Sequence, residues 1–260
     1  MASNFYFDLT RELNAERCIV LLASGQAVVY YRLALMSKDG DWILEETPDA
    51  CRRVLEVLGQ YGARYRAGAP LDVLWLAGGW SSHFELFDEQ RRRIRCDFFT
   101  RPPRIPSLWL ESAFSAFSAG DLAVIDLPSL ILMKKTQRAK DYPIIGELAR
   151  RLPPELEIEQ TTDPDRILEL APTFGPSSSR NAVRQALDGR GRLAVVLALA
   201  EEIDHLQDLD RRRVRRYEDA SGPYRKAMQG LEVSPSLAES HRQLCLLAEE
   251  LLPQRPLEES

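Results

Sequence analysis

What the chain lacks narrows its chemistry. No apolar run approaches the roughly 20 residues that cross a bilayer, so no membrane partner is expected. The start, Met1-Ala2-Ser3-Asn4-Phe5-Tyr6-Phe7-Asp8, has no basic segment followed by an apolar one, so no secretory leader is read and a cytoplasmic location is expected. Gly-x-x-x-x-Gly-Lys-Ser/Thr is absent, which leaves a P-loop unsupported. No Gly-x-Gly-x-x-Gly follows the first apolar segment, so a dinucleotide fold is unsupported too. The Gly-x-Ser-x-Gly elbow of many hydrolases is also missing. Within Gly78-Gly79-Trp80-Ser81-Ser82-His83, Ser82 and His83 are adjacent and would point to opposite faces of a strand, which argues against their pairing and leaves His83 open to a substrate contact.

Metal-binding and redox motifs built on sulfur are missing as well. Cys18, Cys51, Cys96 and Cys245 are scattered without a Cys-x-x-Cys pair, and His83, His205 and His241 lie far apart. Zinc and disulfide frameworks are therefore not expected, and buried apolar thiols are. Oxygen ligands would point to magnesium or manganese. The net charge of -5 gives no global attraction to nucleic acid, so any polyanion must meet a local basic patch. Arg211-Arg212-Arg213-Val214-Arg215-Arg216 could hold RNA through phosphates together with Arg190 and Arg192, but it follows Glu201, Glu202, Asp204, Asp208 and Asp210, which favours a solvated helix face. Arg91-Arg92-Arg93 is either a hairpin tip or a polyanion contact near Asp97.

With 45% hydrophobic and 28% charged residues, the chain has the balance of a folded globular protein. Leu9 to Arg17 reads as a short helix and Cys18 to Leu22 as a buried strand. A small-residue turn, Ala23 to Gln26, leads to a helix over Ala27 to Leu35, and Trp42-Ile43-Leu44 reads as a second strand. Thr47 caps a helix opened by Pro48. Ala63 to Arg66 suits a short strand, and Pro70 to Leu76 fits helix or strand. His83 to Phe87 and Ile94 to Phe99 alternate as a hairpin turning at Asp88-Glu89-Gln90. Helices are expected from Leu130 through Lys135 and beyond, and over Ile144 to Leu152. Strand patterns then give way to helices over Arg180 to Leu187, Leu193 to Arg216 and Ser236 to Leu252, with a frayed end from Pro253 to Ser260. These elements predict an α/β fold, a small mixed sheet flanked by helices, with an all-helical C-terminal domain. The expected division is 1–153 and 154–260.

Asp39-Gly40-Asp41 is the most informative segment. On a strand, two carboxylates at i and i+2 share a face, about 6.6 Å apart. A third, Asp97, sits between Cys96 and Phe98 in a strand pattern and would complete a set on a neighbouring strand. Such a set can bridge two divalent cations about 3.5–4 Å apart, which clamp the oxygens of an in-line displacement. Ser24-Gly25 lies upstream, where a strand turns into a helix and backbone N–H groups can receive phosphate.

The order of Ser24-Gly25, Asp39-Gly40-Asp41 and Asp97 resembles the nucleotidyltransferase superfamily related to DNA polymerase beta, closest to its minimal and abortive-infection-toxin branches. The likeness covers residues 20 to 145. Leu130 to Tyr142 resembles that family's helix with a Lys, an Arg and then Lys-Asp, here Lys135, Arg138 and Lys140-Asp141. The resemblance implies a sheet of nucleotidyltransferase type and transfer of a nucleoside monophosphate from a nucleoside triphosphate, ATP among them. It implies magnesium or manganese held by Asp39, Asp41 and Asp97, and triphosphate contacts from Ser24, Gly25, Lys38, Lys135 and Arg138. The acceptor would be RNA, protein or a small molecule such as an aminoglycoside. Two departures stand out: Ser-Gly replaces the family's Gly-Gly or Gly-Ser, and Leu35 stands where that branch often has Arg. The alternative is a nucleotide-binding or toxin–antitoxin interaction module with the same fold and little turnover.

Overall fold

The structure, a computed structural model, describes residues 4–88, 90–231, 234 and 236–255. It divides into two compact units, one of residues 1–125 and 215–260, the other of residues 126–214. This differs from the 1–153 and 154–260 division. The helical tail returns to the unit that holds the sheet, and a helical segment interrupts that unit in sequence.

The first unit is built on five strands: β1 (Val20–Ala23), β2 (Asp39–Leu44), β3 (Arg64–Gly68), β4 (Ser81–Phe87) and β5 (Arg93–Phe99). Their order is β1-β2-β5-β4-β3. β2 and β5 run parallel and the other neighbours antiparallel, so the sheet is mixed, as expected. The alternating segments form the expected hairpin, with Arg93 opposite Phe87. Glu89, in its expected turn, lies outside the described residues.

Four helices complete the N-terminal part: α1 (Phe5–Leu13), α2 (Ser24–Tyr30), α3 (Pro48–Gln60) and α4 (Val73–Leu76). α1 begins earlier than the sequence suggested because the Asn4 side chain caps it, accepting from Tyr6 N. It stops at Leu13 because Asn14 turns inward, its Oδ1 accepting from Ile19 and Val20 N. α2 likewise starts where β1 ends, three residues before the expected Ala27, with Ser24 in the left-handed region at φ 49. Thr47 caps α3 as anticipated, and Pro70 to Leu76 resolves into the short α4.

The buried side of the sheet carries an aromatic row. Trp42 stacks on Phe98 with ring centres 5.1 Å apart, Phe84 meets Phe98 edge-on at 5.9 Å, and Tyr65 lies 4.4 Å from Phe84. Trp42 Nε1 donates to Thr10 Oγ1 at 2.9 Å, which satisfies the one polar atom of a fully buried indole.

The second unit contains α6 (Leu127–Lys134), α7 (Tyr142–Ala149), α8 (Pro154–Gln160), α9 (Pro164–Phe174) and α10 (Asn181–Leu187), with α5 (Ser107–Ser115) preceding it in the first unit. α6 stops at Lys134, short of the expected Lys135. α11 (Gly191–Ala220) runs longer than expected at both ends. Ile158, Ile167, Leu170, Val183, Val195 and Leu199 form this unit's core. α12 (Gly222–Met228) and α13 (Leu237–Leu251) belong to the first unit, where Tyr224, Leu244 and Ala248 pack with Trp75 and Trp80. The end of the chain is partly fastened: Trp80 Nε1 donates to Pro253 O at 2.8 Å. The remaining expected frayed residues, 256–260, lie outside the described set. No described helix is long and apolar enough to cross a membrane.

Candidate active site

Strand alternation decides which side chains meet. In β2, Gly40 and Trp42 point into the core, so Asp39 and Asp41 share the opposite face. In β5, Ile94, Cys96 and Phe98 point inward, so Arg95 and Asp97 share that same outer face. The parallel register sets Asp41 directly opposite Asp97 and Asp39 opposite Arg95. Neighbouring strands lie roughly 4.8 Å apart, so two carboxylates face one another across one rung. The Cys96 thiol, enclosed beneath them, is pushed well above its ordinary pKa by burial, and the charges of Asp97, Asp41 and Asp39 each add to that. All three sequence-predicted carboxylates therefore act on one buried atom.

Gly40 has a packing reason. A Cβ there would collide with the Trp42 and Tyr6 rings, so the aromatic core admits only glycine between the two aspartates. Gly25 has a reason of the same kind, since a Cβ there would run into the Ser37 side chain. Around it, Gln26 Nε2 donates to Ser37 O at 2.9 Å and Tyr6 Oη donates to Lys38 O at 2.7 Å. The start of α2 and the N-terminal helix thus pin the loop that delivers Asp39. Because β1 and β2 are antiparallel with Ala23 opposite Asp41, Ser24-Gly25 leaves the sheet at the aspartate end of β2. Lys38 is exposed beside Asp39.

Of the other residues on this face, sequence left His83 open to a substrate contact and did not single out Arg66 or Ser81. Arg66 Nη2 donates to Asp97 Oδ1 at 3.1 Å. His83, opposite Asp97 on β4, brings Nδ1 within 2.9 Å of the same oxygen, yet off the line a hydrogen bond requires, and that buried nitrogen has no hydrogen-bond partner. The two atoms are close, but the directional bond does not form. Ser81, two residues along and on the same face, places Oγ 2.9 Å from His83 Nε2. Ser82 points inward and donates to Ala69 O at 2.8 Å, so the adjacent serine and histidine do not pair. The signal for Ser81 and His83 was their i, i+2 spacing. Arg95 Nη1 lies 3.4 Å from Asp39 Oδ1, a long contact.

Among the described residues, no three His, Cys, Asp or Glu side chains are grouped so as to hold a metal ion. Asp41 and Asp97 are opposed, while Arg95 and Arg66 engage Asp39 and Asp97. Lys135 and Arg138 belong to the other unit. Lys135 Nζ donates to Gln160 Oε1 at 2.8 Å, and Arg138 pairs with the buried Asp141 at 2.9 Å. Thr136 Oγ1 also donates to Asp141, and Lys134 lies 3.9 Å from it, so that carboxylate organises its own segment.

No family model matches the chain, and no curated protein matches it by sequence. Among solved structures, the chain is similar to one described as "putative nucleotidyltransferase from H. pylori". The two are 12% identical, and the alignment covers 79% of this chain and 94% of the other, with a TM-score of 0.38.

Proposed function

We propose that the chain is a metal-dependent nucleotidyltransferase that moves a nucleoside monophosphate from a nucleoside triphosphate to an acceptor. The observation that carries this reading is the rung on which Asp41 faces Asp97, with Asp39 two residues away on the same face. Like charges directly opposite on neighbouring strands destabilise a sheet. A divalent cation would turn that repulsion into shared attraction, and carboxylate oxygens are the donors magnesium and manganese prefer. Asp41 and Asp97 would hold it, with Asp39 beside them. The bound cation would neutralise phosphate charge and polarise the transferring phosphorus. The protein's remaining task is positioning, since phosphoryl chemistry needs no covalent nucleophile from the chain. Gly25, Gln26 and Tyr6 fix the loop ahead of Asp39, and the aromatic row beneath holds both strands in place. Ser24, Gly25 and Lys38 stand at the aspartate end of β2 as candidate triphosphate contacts. Lys135 and Arg138 belong to the other unit, where Gln160 and Asp141 hold them, and are not counted among these contacts.

The test uses triphosphates labelled at the α-phosphate, magnesium or manganese, and RNA, protein or aminoglycoside acceptors. Transfer that survives in an Asp39→Ala, Asp41→Ala double variant rules the reading out. A second reading, a nucleotide-binding or toxin–antitoxin interaction module without turnover, is favoured by the pairing of Asp97 with Arg66. Calorimetry separates the two: tight triphosphate binding with no pyrophosphate released at any acceptor selects the module.

A further inference from the structure

Beside Asp39 lies a cavity of about 490 Å³, and its charge runs against that of the whole chain. Lys38, Arg92, Arg93 and Arg95 line it, with Asp39 as the one carboxylate among its described lining residues. The chain as a whole carries -5. Two of the arginines are anchored from outside the cavity. Arg92 Nε donates to Asp88 at 2.7 Å and Arg93 Nε to Glu85 at 2.8 Å, and neither acid lines the space. A guanidinium has five N–H donors and a carboxylate occupies at most two, so an anchored arginine keeps donors for a second anion.

The same cavity has an apolar wall in water. Leu35 is 101% exposed and Met36 77%, adjacent in the loop that leads into β2, and Phe5 also lines the space. An inorganic anion or a bare triphosphate has no use for such a wall. A polycationic acceptor such as an aminoglycoside would be repelled by four cations. A strand with unpaired bases needs both elements, cations for its backbone and apolar surface for its base faces.

We propose that this cavity binds single-stranded nucleic acid through Lys38, Arg92, Arg93 and Arg95, with bases against Leu35 and Met36, and brings the strand's end to the aspartate face as acceptor. The role of acceptor rests on the nucleotidyl-transfer reading above; the binding does not.

The experiment measures fluorescence anisotropy of a short labelled RNA strand, about a dozen nucleotides long, with the full chain in EDTA across a salt series. Binding is expected to be saturable. An Arg92→Gln, Arg93→Gln double variant is expected to bind about tenfold more weakly, with a log–log salt slope smaller by about 1.4, because each phosphate contact on a single strand contributes about 0.7. A Leu35→Ser, Met36→Ser double variant is expected to bind more weakly with its slope unchanged, which separates base contacts from charge. Arg242→Gln, at an exposed position of α13, is expected to change nothing, and circular dichroism verifies that each variant is folded. Should the arginine variant fail to fold, Lys38→Glu supplies the same test from an exposed position. Absence of binding at low salt, indifference to the cavity substitutions, or equal binding of duplex RNA or polyglutamate would overturn the proposal. Repeating the series with Asp41→Asn keeps the two claims apart: RNA binding that persists while transfer is lost supports both. RNA binding in the unaltered chain with no transfer under any condition removes the enzyme and leaves the ligand.

Discussion

On the inward face of β2 and β5, Gly40, Trp42, Cys96 and Phe98 are buried, and neighbours account for their sizes. Trp42 stacks on Phe98, and Gly40 is small because two rings occupy the space a side chain would need. On the outward face of the same strands stand Asp39, Asp41, Arg95 and Asp97. Here charge instead of shape sets the neighbours: Arg95 lies against Asp39, Arg66 donates to Asp97, and the register puts Asp41 opposite Asp97. Proteins tolerate such local conflict mainly at functional positions, where the loss in stability is recovered as chemistry. One face of this strand pair is thus set by apolar packing and the other by charge, and it is the charged face that the proposed function uses.

That contrast can be broken at several depths. Trp42→Ala should be the most damaging substitution, costing about 3–5 kcal/mol for a large buried ring; urea unfolding that shows a loss below about 1 kcal/mol would mean the aromatic row does not organise the sheet. Gly40→Ala comes next, at about 1–3 kcal/mol from overpacking against Tyr6 and Trp42. A freely tolerated alanine there would mean that the aromatic core does not require glycine between Asp39 and Asp41.

A pH series sharpens the apolar side. Burial raises both the Cys18 and Cys51 thiols to about 12 from an ordinary 9.0. Above 9.0 the unfolded chain releases these protons while the folded chain keeps them, so stability is full below that pH and falls as pH rises from 9.0 toward 12. Thermal unfolding should therefore come earlier on the alkaline side, and the shift should be smaller in a Cys18→Ala, Cys51→Ala variant. The smallest effect has the opposite sign. In EDTA, Asp41→Asn should stabilise the protein by a few tenths to about 1 kcal/mol, because it relieves the like-charge rung. Added magnesium should stabilise the unaltered chain and not this variant. If the Asp41→Asn protein unfolds earlier than its parent, Asp41 is a structural carboxylate instead.

Much of this was legible locally. Alternation in His83–Phe87 and Ile94–Phe99 located the hairpin, Thr47-Pro48 located a helix start, and strand periodicity placed Asp39, Asp41 and Asp97 on a common face. What escaped depended on contacts distant in sequence or on which side a short polar residue turns. Asn4 and Asn14 set the ends of α1 through side-chain bonds that leave no periodicity. Arg66 reaches Asp97 across the intervening strand β4, and β3 carries a register shift between Tyr65 and Ala67, so neither simple alternation nor spacing announced it. The division of the chain also escaped, because Tyr217 Oη donating to Gly78 O, or Tyr65 Oη meeting His241, joins residues more than a hundred positions apart.

The fastening of Trp80 to Pro253 has a consequence during synthesis. A nascent chain emerges from its N-terminus, yet the indole that flanks β4 finds its acceptor only in the last described stretch of polypeptide. The sheet-bearing unit must wait through the making of an entire helical insertion before it can close. Premature termination shortly before residue 253 would thus leave a molecule with all five strands and Asp39, Asp41 and Asp97 but an unsealed flank, prone to chaperone capture and proteolysis.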